Sequence, residues 1–177
     1  DSYTICGGFS QSPVNNVDNP LQPIGMASLV DYNQLTGTFS NWRGFSYAGY
    51  ANPRTHFQGI SSVEKGVYTL AGTALAAGDA LTSGLASVTR ATDGSFGDMT
   101  WVAIEPGPDV TGKPSPATAN SVYGNAVVGV IIGDAGVTSY QAQVNVGFQL
   151  SNTISGNGGN GIAAIGSHNN VVAMNQI

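Results

Sequence analysis

The chain has 177 residues and a mass of 18.0 kDa, enough for one domain or two small ones with a modest core. Charged residues make up only 8% of it, against ~25% in ordinary globular chains. Five Lys+Arg against ten Asp+Glu leave a formal charge of −5 and a pI near 4.5, too few cations for nucleic-acid binding through a basic patch.

Residues 1–24 contain the Pro/Asn-rich stretch SQSPVNNVDNPLQP and read as an extended N-terminal arm. Cys6 stands alone, which excludes an intrachain disulfide and reads as a small, partly buried side chain rather than a reactive thiol. Residues 25–106 are short apolar runs cut by turn residues, among them GMASLVDY, GVYTLAGTAL, GLASVTRA and MTWVAIEP. That spacing predicts an antiparallel β-sandwich or jelly-roll-like domain. In 99–104 the alternation places Thr100, Val102 and Ile104 on one face and Met99, Trp101 and Ala103 on the other. TALAAGDALTSGLASV (73–88) has helical Ala and Leu content, but its Gly and Ser breaks favour strand–turn–strand. Four prolines within 106–119 mark a composition shift, and 107–119 reads as a linker.

Residues 120–177 repeat. Asn120-Ser-Val-Tyr-Gly-Asn125, Asn152-Thr-Ile-Ser-Gly-Asn157 and Asn170-Val-Val-Ala-Met-Asn175 share N-x-[VI]-x-x-N, with starts 32 and 18 residues apart. Short apolar strands punctuated by Gly and Asn predict a parallel solenoid with Val122, Ile154 and Val172 stacked inward and Asn at the corners, where αL is tolerated. This third of the chain resembles the right-handed parallel β-helix repeat family. That resemblance implies a short parallel β-helix behind the β domain, an arrangement found in phage tailspikes, adhesins, and polysaccharide lyases and hydrolases. The whole chain is thus expected to be all-β. Its last residues fall inside a repeat with no polar cap, which predicts either a longer β-helix or an end covered by neighbouring subunits.

The densest aromatic and cationic stretch supplies the candidate ligand- or partner-binding residues Trp42, Arg43, Tyr47, Tyr50, Arg54 and His56. Trp, Tyr and Arg are enriched at protein interfaces, and aromatic rings with polar neighbours also suit a glycan. The competing reading makes Phe39, Phe45, Tyr47 and Phe57 sandwich core. Asp93 and Asp98 on a glycine loop could supply part of the six to eight oxygens that Ca²⁺ needs, but the loop lacks the acidic density of a calcium motif and reads first as a polar hairpin turn. Glu105 and Asp109 flank a stiff Pro-Gly-Pro, and His56 and His168 lie on different predicted domains, so neither pair makes a catalytic site. Asp134 is the one charged residue in 120–177, which weighs against lyase or hydrolase chemistry there. No apolar run reaches the ~18 residues of a membrane span, so membrane insertion is not expected.

These features predict a non-enzymatic structural or adhesive component of an extracellular assembly. A virion appendage (tailspike, fibre or decoration protein) is the most specific form. Its partners would be copies of itself or other virion or surface subunits. The alternatives are a carbohydrate-binding surface adhesin or filament subunit, or the N-terminal part of a β-helix polysaccharide lyase or hydrolase.

Overall fold

The computed structural model describes residues 2–10, 25–51, 53–76, 81–105, 107, 112, 115–133 and 136–144, and the backbone of 152–155 and 171–172. Every regular element among them is a strand. In chain order these are β1 (Ser2–Ser10), β2 (Gly25–Asn33), β3 (Thr38–Phe45), β4 (Arg54–Glu64), β5 (Val67–Leu75) and β6 (Leu81–Arg90). There follow β7 (Phe96–Ile104), β8 (Ala117–Tyr123), β9 (Ala126–Gly133), β10 (Gly136–Val144), β11 (Asn152–Ser155) and β12 (Val171–Val172).

The strands form two sheets stacked as three layers. One sheet runs β1-β2-β4-β5-β6-β7, with β3 paired to β2, and the other runs β8-β9-β10-β11-β12. Strands β2 and β4 are joined only at Gly25↔Arg54, so β1–β2–β3 folds over the face of β4–β7. Ala27, Leu29 and Phe45 from this upper layer share a core with Phe57, Leu70, Ala86, Val88 and Phe96. The opposite face of β4–β7 packs on β8–β10, where Ala71, Leu85 and Ile104 meet Ala117, Ala119, Val122, Val127, Tyr140, Ala142 and Val144. Chain neighbours Leu70 and Ala71, and likewise Leu85 and Ala86, go to opposite cores. The middle residues of β5 and β6 are therefore buried on both faces.

Double burial explains the Ala- and Gly-rich composition of 73–88. Two antiparallel strands form there, β5 ending at Leu75 and β6 beginning at Leu81, while 77–80 lies outside the described residues. Sheets stack ~10 Å apart, and small side chains on β5 and β6 leave volume for large ones from neighbouring strands. The clearest case is the indole of Trp101, which lies over the cross-strand pair Gly72 and Gly84. A Cβ at Gly72 would stand 2.5 Å from Trp101 Cη2, and one at Gly84 would stand 2.5 Å from Trp101 Cε2 and 2.7 Å from the Val102 carbonyl oxygen. The alternation in 99–104 has the expected outcome: Met99 and Trp101 pack on the upper core, Val102 and Ile104 on the lower.

Hydroxyls tie the layers together without charge. Thr69 Oγ1 donates to the Gly124 carbonyl (2.7 Å), Gly124 N donates to Ser61 Oγ (3.0 Å), and the Ser83 and Tyr140 hydroxyls lie 3.4 Å apart. Buried polar groups are tolerated when paired in this way.

Three sequence expectations are corrected. Residues 2–10 are not part of an arm: β1 pairs with β2 at nine consecutive positions, from Ser2↔Asn33 to Ser10↔Gly25, while 11–24 lies outside the described residues. The segment 107–119 is not linker throughout, because β8 begins at Ala117, and Ala117 and Ala119 are buried in the core shared with Ala71 and Leu85. Strands β8, β9 and β10 form an antiparallel meander instead of parallel coils, with Val122 opposite Val127. The turn Gly124-Asn125 (Gly124 φ 58°) reverses the chain there. Parallel pairing occurs between β11 and β12, at Thr153↔Val171 and Ile154↔Val172. These are matching positions of the second and third N-x-[VI] motifs.

Gly84→Ala is expected to lower stability by about 2 kcal/mol, as overpacking a filled core typically does. Urea unfolding followed by far-UV circular dichroism measures it, and the midpoint should fall while the native spectrum keeps its shape.

Candidate functional site

The stretch Trp42–His56 is divided by the two-residue period of β3 and the loop after it. Asn41 sits in a bulge, at φ 51°, between the pairs Asp31↔Ser40 and Leu29↔Arg43. The extra residue there turns Trp42 to the outer face and Arg43 toward the layer below. Asn41 itself donates from Nδ2 to Asp31 Oδ2 (2.8 Å).

Arg43 crosses from β3 to β7. Its Nη1 donates to the Phe96 carbonyl, and its Nη2 bonds Asp98 Oδ1 at 2.6 Å. Beside this bridge lies an open cleft of about 480 Å³ lined by Arg43, Ser46, Tyr47, Asp98, Met99 and Trp101, among others. Tyr47 and Trp101 have ring centroids 5.1 Å apart at 49°, and Tyr50 meets Tyr47 edge-on at 5.1 Å. Tyr47 N donates to Thr55 Oγ1 (2.9 Å) and the Tyr50 hydroxyl bonds Thr82 Oγ1 (2.7 Å), so the loop is pinned at both ends. Burial raises the Tyr47 phenol above its ordinary value, assisted by Tyr50 and the negative charge of Glu105.

The structure thus brings together Arg43, Tyr47 and Tyr50 from the expected set and separates the others. Arg54 is exposed at the start of β4, and exposed His56 packs against Gly8 of β1. Phe45 and Phe57 are core, as the competing reading had it, whereas Phe39 is exposed. Trp101 and Asp98, more than fifty residues further on, were not among the expected ligand-binding residues; the alternation in 99–104 was the signal that aimed Trp101 toward this layer.

Trp42 belongs to a second surface. The register places Tyr3, Tyr32 and Phe39 in one row across β1, β2 and β3, with Ile5 opposite Val30 and Phe9 opposite Met26. Trp42 stacks on Phe9 (5.4 Å) and Phe39 on Tyr32 (5.0 Å). Phe39 is 65% exposed, Trp42 59% and Tyr3 53%. No residue on this face carries a charge. Its sequence signal was the alternation of Tyr3, Ile5 and Phe9, within a stretch read as an arm.

Asp93 and Asp98 do different work. Asp93 accepts from Ser95 N (2.9 Å) and Ser95 Oγ (2.7 Å), which holds its carboxyl below the usual range, whereas Asp98 pairs with Arg43. Among the described residues no group of three or more His, Cys, Asp or Glu is placed to hold a metal ion. Glu105 is exposed, while Asp109 and His168 lie outside the described residues. Cys6 is half-buried and its thiol is raised by that burial.

A partly buried charge cluster joins the upper and middle layers. Arg90 on β6 bonds Asp31 on β2, donates from Nε to the Tyr68 hydroxyl (2.8 Å), and from Nη2 to Thr4 Oγ1 (3.0 Å). Its Nη1 reaches the Gly94 carbonyl at 2.5 Å, and its Cζ lies 4.3 Å from the Phe96 ring centroid. Side-chain exposure is 19% for Arg90 and 13% for Asp31. Burial alone would raise the Asp31 carboxyl, but bonds from Arg90, Asn41 and Thr4 outweigh it and hold the carboxyl below its ordinary value. Strong perturbation often marks a functional group. Here the donors and acceptors are used within the fold, and neither residue lines the cleft, so the pair is structural.

Comparison with protein-family models, with curated proteins and with solved structures finds no match to this chain.

Arg90→Met should lower stability by about 3 kcal/mol, because it leaves Asp31 buried without its counter-charge. The depressed Asp31 carboxyl adds a pH signature. Its contribution is complete above the unfolded value of about 3.9 and is lost as pH falls through the lower folded value. Denaturant titrations at stepped pH should show this acid-side loss in the wild type and a weaker one in Asp31→Asn.

Proposed function

We propose that this chain is a non-enzymatic structural component of an extracellular assembly, joined to further copies of itself through the outer face of β1–β2–β3. The observation that carries this reading is that face: uncharged, with Tyr3, Ile5, Phe9, Phe39 and Trp42 all exposed. Contiguous exposed apolar surface of this kind marks an interaction site. A face without charge meets its own copy with no like-charge repulsion, although the chain as a whole carries −5.

A virion appendage, such as a tailspike or fibre, is the setting this reading favours. It is supported by the β-helix resemblance of the second and third motifs, in 152–175, and by the parallel alignment of β11 with β12. The motifs Asn152-Thr-Ile and Asn170-Val-Val start 18 residues apart and meet in register, as successive coils of a solenoid would.

Size-exclusion chromatography with multi-angle light scattering at micromolar concentration should give a mass that is a multiple of 18.0 kDa. The double variant Phe39→Glu/Trp42→Glu should be monomeric with an unchanged far-UV spectrum. A monomeric wild type, or a folded double variant that still assembles, overturns the proposal.

A further inference from the structure

The cleft beside Arg43 is separate from the outer aromatic face, and its lining has a chemistry of its own. We propose that it binds a neutral saccharide. Its volume of about 480 Å³ lies within the ~300–1,000 Å³ of small-molecule sites, which typically combine an apolar lining with a few convergent polar groups.

Each part of the lining narrows the ligand class. Tyr47, Met99 and Trp101 supply an apolar wall suited to the CH face of a sugar ring. Asp98 is 97% exposed and binds Arg43 through one oxygen, so its carboxylate keeps acceptor capacity for hydroxyl groups. The Arg43 guanidinium supplies planar donors, two of them engaged by Phe96 and Asp98. The two charges offset each other across 2.6 Å, which leaves the lining with no net charge to favour an anionic or a cationic ligand. A ligand with adjacent hydroxyls on one side and an apolar face on the other matches this lining. An anionic ligand would meet the Asp98 carboxylate beside the lining's one cation.

The cleft is also organised in advance. Thr55 and Thr82 hold the loop that carries Tyr47 and Tyr50, and the Gly72–Gly84 gap seats Trp101. A pre-formed wall lowers the ordering cost of binding.

The chain has two tryptophans, Trp42 and Trp101, so Trp42→Phe leaves Trp101 as the sole indole reporter at the cleft. This variant would be titrated with maltohexaose, cellohexaose and tetra-N-acetylchitotetraose, and with sialyllactose and a galacturonate oligomer as acidic probes. At least one neutral oligosaccharide should shift Trp101 emission saturably. Adding Asp98→Ala should weaken that binding by about tenfold or more, the loss expected for one hydrogen bond to a charged group, with the native far-UV spectrum unchanged. Absence of a saturable signal with every neutral probe, by fluorescence and by calorimetry, overturns the proposal. So does a preference for the acidic probes, or equal affinity in the Asp98→Ala variant. The readout is independent of molecular mass, so failure here is distinguishable from failure of the assembly proposal.

Discussion

Two strands at the centre of this protein have no solvent face over their middle residues. Because β5 and β6 are covered above by β1–β3 and below by β8–β10, their backbone groups are satisfied by the sheet ladders, and their side chains must fit two cores at once. Small residues meet that constraint. Ala71, Ala74 and Ala86 allow the neighbouring layers to approach, and the glycine pair at 72 and 84 opens the gap that the Trp101 indole fills. The polar groups admitted to these layers, Thr55, Thr69, Thr73 and Ser83, are short and each has a partner. Trp101 Nε1 is the exception among the described residues: it is buried without an acceptor. The indole's packing contribution outweighs that cost, which for a lost hydrogen bond is ~1–3 kcal/mol.

The same layering sorts the surface. The upper layer spends one face on the core, so its other face is free for a partner, and that face is aromatic rather than charged. Arg90 is taken up in holding β6 to β2 through Asp31, between the Tyr68 and Phe96 rings. Arg43 holds β3 to β7 at the layer's edge, and the cleft opens where the chain leaves β3 for β4. Adjacent residues therefore serve different surfaces. Trp42 joins the outer face and Arg43 the cleft because consecutive side chains in a strand point opposite ways, and the bulge at Asn41 sets which goes where.

Alternation was legible wherever one strand separates two environments. Residues 99–104 declared both of their faces, and the breaks in 73–88 declared strands despite helix-forming composition. What misled was composition read without pairing. The Pro/Asn-rich stretch after Ser10 extended the arm backwards over a strand that nine pairs with β2 hold in place. The prolines of 106–116 obscured the strand starting at Ala117. Asn120-Ser-Val-Tyr-Gly-Asn125 matched the later motifs in letters, yet its Gly-Asn turn at 124–125 folds β9 back on β8.

The amino-acid order by itself determined the all-β class, the scarcity of charge and the two-sided character of β7, because these depend on composition and on a period of two. Only the tertiary structure decided which face met which layer. Residues 3–9, 26–32 and 39–44 become one aromatic surface through strand register, and Arg43 meets Asp98 across fifty-five positions of chain. Such encounters are set by the stacking of layers, and no local pattern carries that information. The 8% of charged residues acquires its meaning in the same way: two of the five cations clasp layers together, and the broad outer face is left with none.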